Sequence, residues 1–255
     1  MRLRARTRTG EAIRFILVMQ LAMGAWLVTH DLSATLPRLF AGRGVEDLTA
    51  PTAPGDQTRR YDPALVPRLP APPGTRHFPQ LEDMPERLRF ERTGPEARLT
   101  GAIAEGDAGR FADWLEEQAV PPRRIWLSSP GGSVGDALAI GRLVRTAGMS
   151  TAMEPGDACL SACPYILAAG VLREVADGAL VGVHQHYFGE NTVLPAFLAV
   201  RDIQRGQAEV VGYLTEMGID LRLMQPALAT PPEEIYILTA QELERFRLTT
   251  RSDPP

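Results

Sequence analysis

The chain contains no lysine, because all 27 of its basic residues are arginines. This absence excludes every mechanism that depends on a lysine base or a lysine Schiff base. Cysteine is almost as scarce: Cys159 and Cys163 are the only two, and the three residues between them exclude a thioredoxin-like Cys-x-x-Cys motif. Positive charge is in the minority as well, with a net charge of −4 at pH 7, and we expect no nucleic-acid partner.

What is present is the composition of an ordinary globular protein, with 44% hydrophobic and 23% charged residues. A length of 255 residues accommodates one sizeable domain and additional segments. The sequence divides into an N-terminal signal anchor or signal peptide at positions 1–36, a proline-rich linker at 37–80 and a folded domain at 81–250.

The N-terminal segment has the pattern of an export signal or an anchor. Five arginines in the first 14 residues precede an apolar run at 15–28 that only Gln20 interrupts. This run is shorter than the ~20 residues of a full membrane span, and Leu32-Ser33-Ala34 is only a weak cleavage site. We favour an uncleaved anchor over a cleaved signal peptide, and either over an amphipathic or buried helix. The positive-inside rule then places the domain outside the cytoplasm.

The linker is rich in proline, which forbids helix and favours extended polyproline conformation. It includes Pro63, Pro67, Pro70, Pro72 and Pro73. We predict a semi-rigid spacer between the anchor and the domain. His77 lies at its end, and we expect a solvated histidine there and not a metal ligand.

The domain alternates predicted strands and helices, which indicates an α/β fold with a largely parallel sheet and helices packed outside it. The predicted strands are 88–90, 98–103, 124–127, 150–153, 180–184 and 233–238. The predicted helices are 107–117, 134–147, 161–169, 194–217 and 239–245. Asp107 is a candidate cap for the first helix, and Thr239 with Glu242 predicts a capping box at the last.

Two motifs in this domain have the residue types of an acyl-transfer site. The first is the turn Ser-Pro-Gly-Gly-Ser at positions 129–133, where paired glycines permit positive φ and present N–H groups that can stabilise an oxyanion. The second is Ser161 at a predicted helix start, where the helix N-terminus favours developing negative charge. Taken alone, each has a plainer explanation, a tight turn in one case and a capping serine in the other.

A pair of histidines follows on a predicted strand. His184 and His186 are two residues apart and therefore share a face of that strand. A buried histidine satisfied by hydrogen bonds is the plain explanation for each. A metal site of these histidines with Cys159 and Cys163 is a weak alternative, since no further ligand has suitable spacing. We therefore predict no metal and no other cofactor.

In combination, these motifs resemble the Clp protease proteolytic subunit family, within the wider Clp/crotonase fold of stacked β-β-α units. Ser-Pro-Gly-Gly-Ser-Val at 129–134 matches the family's glycine turn, Ser161 with Gly170 nine residues later matches its nucleophile helix, and His184-Gln185 matches its base. The similarity covers about positions 88–248. The chain looks most similar to exported or membrane-anchored Clp-like proteins of bacteria, whose domain would face the periplasm from the inner membrane.

The resemblance implies a role for each matched residue. Ser161 would be the nucleophile and His184 its general base, with the backbone N–H groups of Gly132 and Ala162 as the oxyanion hole. The predicted helix at 193–217 would correspond to the projecting handle through which members of the family assemble, so a homo-oligomer is expected. Signal peptide peptidase A shares the wider fold but uses a Ser-Lys pair, which the absence of lysine excludes. Crotonase enzymes lack this order of serine and histidine.

One departure concerns the aspartate that completes the family's triad. An alignment fixed on Thr239-Ala240-Gln241-Glu242 places it at Pro231-Pro232, where this chain has no aspartate. Glu233 and Glu234 are possible third members. Loss of the acid from a triad protease lowers kcat by ~10⁴, so a Ser-His pair would work more slowly.

The two cysteines flank Ser161, and two hypotheses apply to them. Outside the cytoplasm a disulfide is permitted, and Cα atoms four residues apart across a helix start would be near ~6 Å, within bonding range. The alternative is a pair of small buried residues.

Two functions follow. The first is a periplasmic serine peptidase or hydrolase, independent of ATP, that acts on peptides or unfolded proteins. The second is a catalytically inactive binding or scaffold protein of the cell envelope.

Overall fold

The structure is a computed structural model that describes residues 8–40, 57–61, 84–186 and 196–250. The chain divides into two compact units, residues 1–46 and residues 47–255. In the first unit, helix α1 (Arg8–Phe40) contains the apolar run, and its described side chains between positions 10 and 29 are all exposed. Within the described ranges, no helix combines the length and the apolar character needed to cross a membrane.

The second unit contains a five-stranded sheet in which three of the four pairings are parallel. Its strands, in spatial order, are β2 (Arg89–Thr93), β3 (Glu96–Thr100), β4 (Arg124–Ser128), β5 (Ser150–Met153) and β7 (Arg173–Val175). The antiparallel pair is the β2–β3 hairpin, which turns at Gly94 with a φ of 59°, a conformation that glycine adopts at little steric cost.

A four-stranded sheet lies beside it in the same unit. Its strands, in spatial order, are β1 (Thr58–Arg60), β9 (Glu234–Ile237), β8 (Leu180–Val183) and β6 (Ala158–Leu160). Only β6 and β8 pair in parallel, and β9 runs antiparallel to β1 and to β8. A bridge between Ser129 and Cys159 connects the ends of β4 and β6, which brings the glycine turn next to the segment that contains Ser161.

Six α-helices of the second unit are described, together with a 3₁₀-helix at Leu221–Leu223. The α-helices are α2 (Asp107–Glu116), α3 (Val134–Thr146), α4 (Cys163–Ala169), α5 (Ala196–Glu216), α6 (Met224–Ala229) and α7 (Ala240–Arg245). Every residue of α4 is buried, in agreement with the apolar character of its sequence on all sides. Helix α3 buries the face that contains Ala137, Ile140 and Val144, as its 3.6-residue periodicity predicts. Helix α7 begins with the predicted capping box of Thr239 and Glu242.

The α/β class is confirmed, but the single, largely parallel sheet is replaced by two mixed sheets. Strands β1, β6 and β7 have three residues each, which is too short for a period-2 pattern to be recognised. Strand β1 also lies inside the predicted spacer, so residues 57–61 belong to the sheet. The spacer positions 41–56 and 62–80 lie outside the described residues.

The predicted capping role of Asp107 is wrong. Gly106, in a left-handed conformation, occupies the N-cap of α2, and the Asp107 carboxylate is buried. It accepts hydrogen bonds from the backbone N–H groups of Leu88 and Ala104, at 3.1 and 2.8 Å. Because Arg110 also donates to it at 2.7 Å, this buried anion is paired and ties the start of β2 to α2.

Candidate active site

Ser161 lies at the tip of a sharp turn between β6 and α4. Its φ is 59°, in the left-handed region that residues other than glycine seldom adopt. The sequence predicts Ser161 at a helix start, but α4 begins at Cys163, with Ala162 as its N-cap. The backbone N–H of Ser161 donates to the Gly182 carbonyl on β8 at 3.0 Å, which fixes the turn beside the strand that leads to His184.

His184 directly follows β8 and is within hydrogen-bonding distance of the serine. Its Nε2 lies 2.7 Å from Ser161 Oγ, and its Nδ1 lies 3.0 Å from the Pro232 carbonyl oxygen. A carbonyl only accepts, so Nδ1 carries the hydrogen and Nε2 is left as the acceptor for the serine hydroxyl. This is the tautomer that a general base requires.

A proline carbonyl, and not a carboxylate, is therefore the group that orients His184. Glu233 is exposed and Glu234 lies on β9, while the Nδ1–H of His184 is directed to Pro232. The structure thus does not use either glutamate as the group that orients His184. Sequence reasoning missed this acceptor because every residue has a carbonyl, and only the path of the chain decides which one meets a histidine.

The segment after His184 is fixed to the segment before Pro232. The backbone N–H of Gln185 donates to the Thr230 carbonyl at 2.9 Å, and its side-chain Nε2 donates to the Leu228 carbonyl at 2.7 Å. These two bonds hold the imidazole and its carbonyl acceptor in one local framework, so the separation between them is set by backbone contacts.

The glycine turn packs directly against the nucleophile. A Cβ built on Gly131 would lie 2.5 Å from Ser161 Cβ and 2.9 Å from Ala162 N, so only glycine fits at that position. Gly132 has a φ of 139° and is exposed. The backbone on either side of Gly132 pairs with Ile103, through Ile103 N–H to Gly131 O at 2.8 Å and Ser133 N–H to Ile103 O at 2.7 Å.

Two backbone N–H groups remain to be considered, that of Gly132 in the glycine turn and that of Ala162 next to Ser161. In the part of the chain that the structure describes, neither the Gly132 N–H nor the Ala162 N–H donates to a protein acceptor. Backbone N–H groups without an intramolecular acceptor, at a turn and at a helix N-terminus, have the character of an oxyanion hole.

Cys159 and Cys163 form a disulfide that spans the serine turn. Both residues are buried and their Cα atoms are 5.1 Å apart. Because each sulfur is bonded to the other, neither is available as a thiolate ligand, and the alternative of a metal site with His184 and His186 is wrong. Among the described residues, no group of three or more His, Cys, Asp or Glu side chains is placed to hold a metal ion.

Both predicted histidines line one cavity of about 290 Å³, together with the apolar side chains of Ile203, Met224 and Leu228. His186 Nε2 lies 2.7 Å from the Tyr165 hydroxyl, and both residues line the cavity. Burial, with a smaller contribution from the neighbouring His184, lowers the pKa of His186 to about 4.

Burial also lowers the pKa of His184 below its ordinary value, and the hydrogen bond to the Pro232 carbonyl opposes this effect. Both imidazoles are therefore neutral at pH 7. For His184 this means that the Nε2 lone pair is available as a proton acceptor under neutral conditions.

Sequence reasoning missed Tyr61, which the structure places against His184. The ring centroids are 5.1 Å apart in an edge-on arrangement, and the Tyr61 hydroxyl donates to the Pro130 carbonyl in the glycine turn. The side chains at 57, 59 and 61 are buried while Thr58 is exposed. Because two of those buried residues are Gln57 and Arg59, the alternation has no apolar pattern that would reveal a strand.

The chain matches no family model and no curated protein. The geometry of the site and the motifs themselves are therefore the basis for assigning a function.

Proposed function

We propose that the protein is a serine hydrolase of the peptidase type, with Ser161 as nucleophile and His184 as general base. One observation carries the proposal: the 2.7 Å contact between Ser161 Oγ and His184 Nε2, in an imidazole whose Nδ1 is held by the Pro232 carbonyl. A nucleophile bonded to a base, with the base oriented by a third group, is the arrangement that activates a hydroxyl.

The reaction would proceed by acyl transfer. Ser161 Oγ attacks the carbonyl carbon of the scissile bond while His184 Nε2 takes the hydroxyl proton. The negative charge that develops on the carbonyl oxygen accepts hydrogen bonds from the Gly132 and Ala162 N–H groups. Collapse of this intermediate breaks the scissile bond, and the leaving group takes the proton from His184. Water then attacks the acyl-serine by the same route and releases Ser161.

The Pro232 carbonyl supplies part of what an aspartate supplies in a triad. It fixes the tautomer and the orientation of His184, but as a neutral dipole it stabilises the imidazolium less than a carboxylate does. Loss of the triad acid lowers kcat by ~10⁴ when the wrong tautomer results. Because the tautomer is correct here, we expect kcat to be lower than that of a full triad, but by less than this factor.

We further propose that the domain is a member of the Clp/crotonase fold and resembles Clp protease subunits. Support comes from the order of glycine turn, nucleophile and histidine along the chain, and from two adjoining mixed sheets with a buried helix after the nucleophile. Helix α5 takes the place of the family's handle. We propose that it mediates assembly of a homo-oligomer.

The proposed location is the periplasmic face of the bacterial inner membrane, with a secreted form as the alternative. The Cys159–Cys163 disulfide supports an oxidising compartment. No ATP-driven unfoldase acts there, so the proposed substrates are peptides and unfolded proteins. The apolar walls of the cavity beside His184 favour an apolar side chain next to the scissile bond.

The competing function is an inactive scaffold of the cell envelope. Its main support is the absent aspartate, and the Pro232 carbonyl weakens that support because it provides an acceptor at the same nitrogen. A scaffold also has no physical need for a serine held in a left-handed conformation against a histidine.

The test is labelling of the full chain with a fluorophosphonate, followed by mapping of the adduct by mass spectrometry. We expect a single adduct on Ser161 that is absent in Ser161→Ala and strongly reduced in His184→Ala. Size-exclusion chromatography and circular dichroism establish that each sample is assembled and folded. A folded, assembled wild type without an adduct would contradict the hydrolase and favour the scaffold.

A further inference from the structure

We propose that Tyr61 is a positioning residue for the Ser161–His184 pair, supplied by the 57–61 segment that precedes the domain. The inference rests on the proposed function. It concerns a part of the chain that the sequence predicts to be a semi-rigid spacer.

The 57–61 segment is held in place by its backbone. Strand β1 pairs with β9 from Thr58 to Arg60, the Ile237 N–H donates to the Gln57 carbonyl at 2.9 Å, and the Tyr61 N–H donates to the Glu233 carbonyl at 2.9 Å. The last of these bonds lies one residue from Pro232. The same stretch of backbone therefore positions both Tyr61 and the carbonyl that orients His184.

The side chain of Tyr61 connects two parts of the site that are distant in sequence. Its ring lies edge-on against the His184 imidazole, with centroids 5.1 Å apart. Its hydroxyl donates to the carbonyl of Pro130, the residue before Gly131, which packs on Ser161. Because Tyr61 is only 8% exposed, this side chain is itself fixed, and it limits movement of the imidazole relative to the glycine turn.

The ring of Tyr61 also keeps water from His184. Burial is the main cause of the lowered pKa of His184. The titratable groups on the elements around it are Arg59 on β1, Tyr165 on α4, His186 after β8, Glu233 just before β9, and Glu234 and Tyr236 on β9. Because burial is the larger effect on the pKa of His184 and the hydrogen bond to Pro232 opposes it, removal of the ring is expected to raise that pKa.

The experiment measures the rate of fluorophosphonate labelling of the full chain against pH for Tyr61→Ala and Tyr61→Phe. For Tyr61→Ala we expect labelling at pH 7 to be slower by on the order of tenfold, because a misplaced base loses catalysis steeply. We also expect the midpoint of the pH dependence of labelling to lie at higher pH. Tyr61→Phe keeps the ring and loses only the bond to Pro130. We expect it to retain the wild-type midpoint with a smaller loss of rate.

Phe90→Ala is the matched control, because Phe90 lies on β2 in the other sheet and its ring packs against Phe111 and Trp114. It lowers stability without a change of midpoint, which separates positioning from general destabilisation. If Tyr61→Ala does not fold, Tyr61→Leu replaces it, with the same expected shift of midpoint.

Three results would overturn the inference. An unchanged rate and midpoint in Tyr61→Ala would mean that the ring does not act on His184. Faster labelling would mean that the 57–61 segment covers the site instead of supporting it. A folded wild type that does not react at any pH would contradict the proposed function, and the role of Tyr61 with it. A reactive wild type with an unaffected Tyr61→Ala variant would contradict only the role of Tyr61.

Discussion

At the scale of single residues, Ser161 has the most unusual backbone of the site. A left-handed conformation at a non-glycine residue is less stable than a right-handed one by roughly 1–2 kcal/mol. The surrounding contacts that enforce it are the bond from its N–H to Gly182, the close approach of Gly131 and the disulfide around the turn. They direct the hydroxyl toward His184, as the proposed reaction requires.

This strain predicts an unusual order of stability for two variants that both lack the hydroxyl. Ser161→Gly and Ser161→Ala should each abolish labelling, but the glycine variant should be the more stable by about 1 kcal/mol, because glycine adopts positive φ without a Cβ clash. Urea unfolding measures the difference. At Ser150 on the extended strand β5, the same pair should show the opposite order. Equal stability of the two Ser161 variants would contradict a strained turn.

At the scale of elements, the glycine turn and the nucleophile turn form one packed unit. The Cβ of a Gly131→Ala variant would lie within 3 Å of Leu160 O, Ser161 Cβ and Ala162 N. Two of these three atoms belong to backbone, which cannot rotate away. The two turns must therefore separate, and Ser161 must move away from His184.

We accordingly expect Gly131→Ala to be labelled more slowly than the wild type by on the order of 100-fold, which is the loss typical of a displacement near 1 Å. Gly135→Ala is the matched control, because Gly135 lies on α3 and a Cβ there meets nothing within 4 Å. It should label at the wild-type rate and gain about 0.5–1 kcal/mol of stability from helix propensity. A Gly131→Ala variant that labels normally would show that the two turns are not coupled.

At the scale of the whole molecule, the buried histidines connect the site to the pH dependence of folding. The pKa of His186 is lowered from 6.5 to about 4, and burial also lowers that of His184. Between pH 6.5 and about 4 the unfolded chain therefore binds more protons than the folded one. The free energy of unfolding should accordingly fall as the pH is lowered through this window.

Urea unfolding of the full chain at pH 7 and pH 5 tests this expectation. His186→Gln removes the titrating group while an amide keeps an acceptor for the Tyr165 hydroxyl. The loss of stability between the two pH values should be smaller in this variant than in the wild type. An equal loss in both proteins would mean that His186 does not contribute to the pH dependence.

Local features of this protein could be predicted from its sequence. The α/β class, the buried helix α4, the inward face of α3 and the capping box at Thr239 follow from periodicity and from residues within a few positions of each other. These features need only information that is contiguous along the chain. The two candidate catalytic residues, Ser161 and His184, were predicted only through the resemblance of the combined motifs to a known family, because each motif alone has a plainer explanation.

The tertiary structure alone decided how the site is assembled. His184 meets Ser161 across 23 residues, and its acceptor Pro232 lies 48 residues away. Tyr61 reaches Pro130 across 69 residues from a segment whose buried side chains include Gln57 and Arg59. A backbone carbonyl has no signature in the sequence, and a strand with polar buried residues has no apolar alternation. Pairing between distant strands therefore decided which groups orient the histidine.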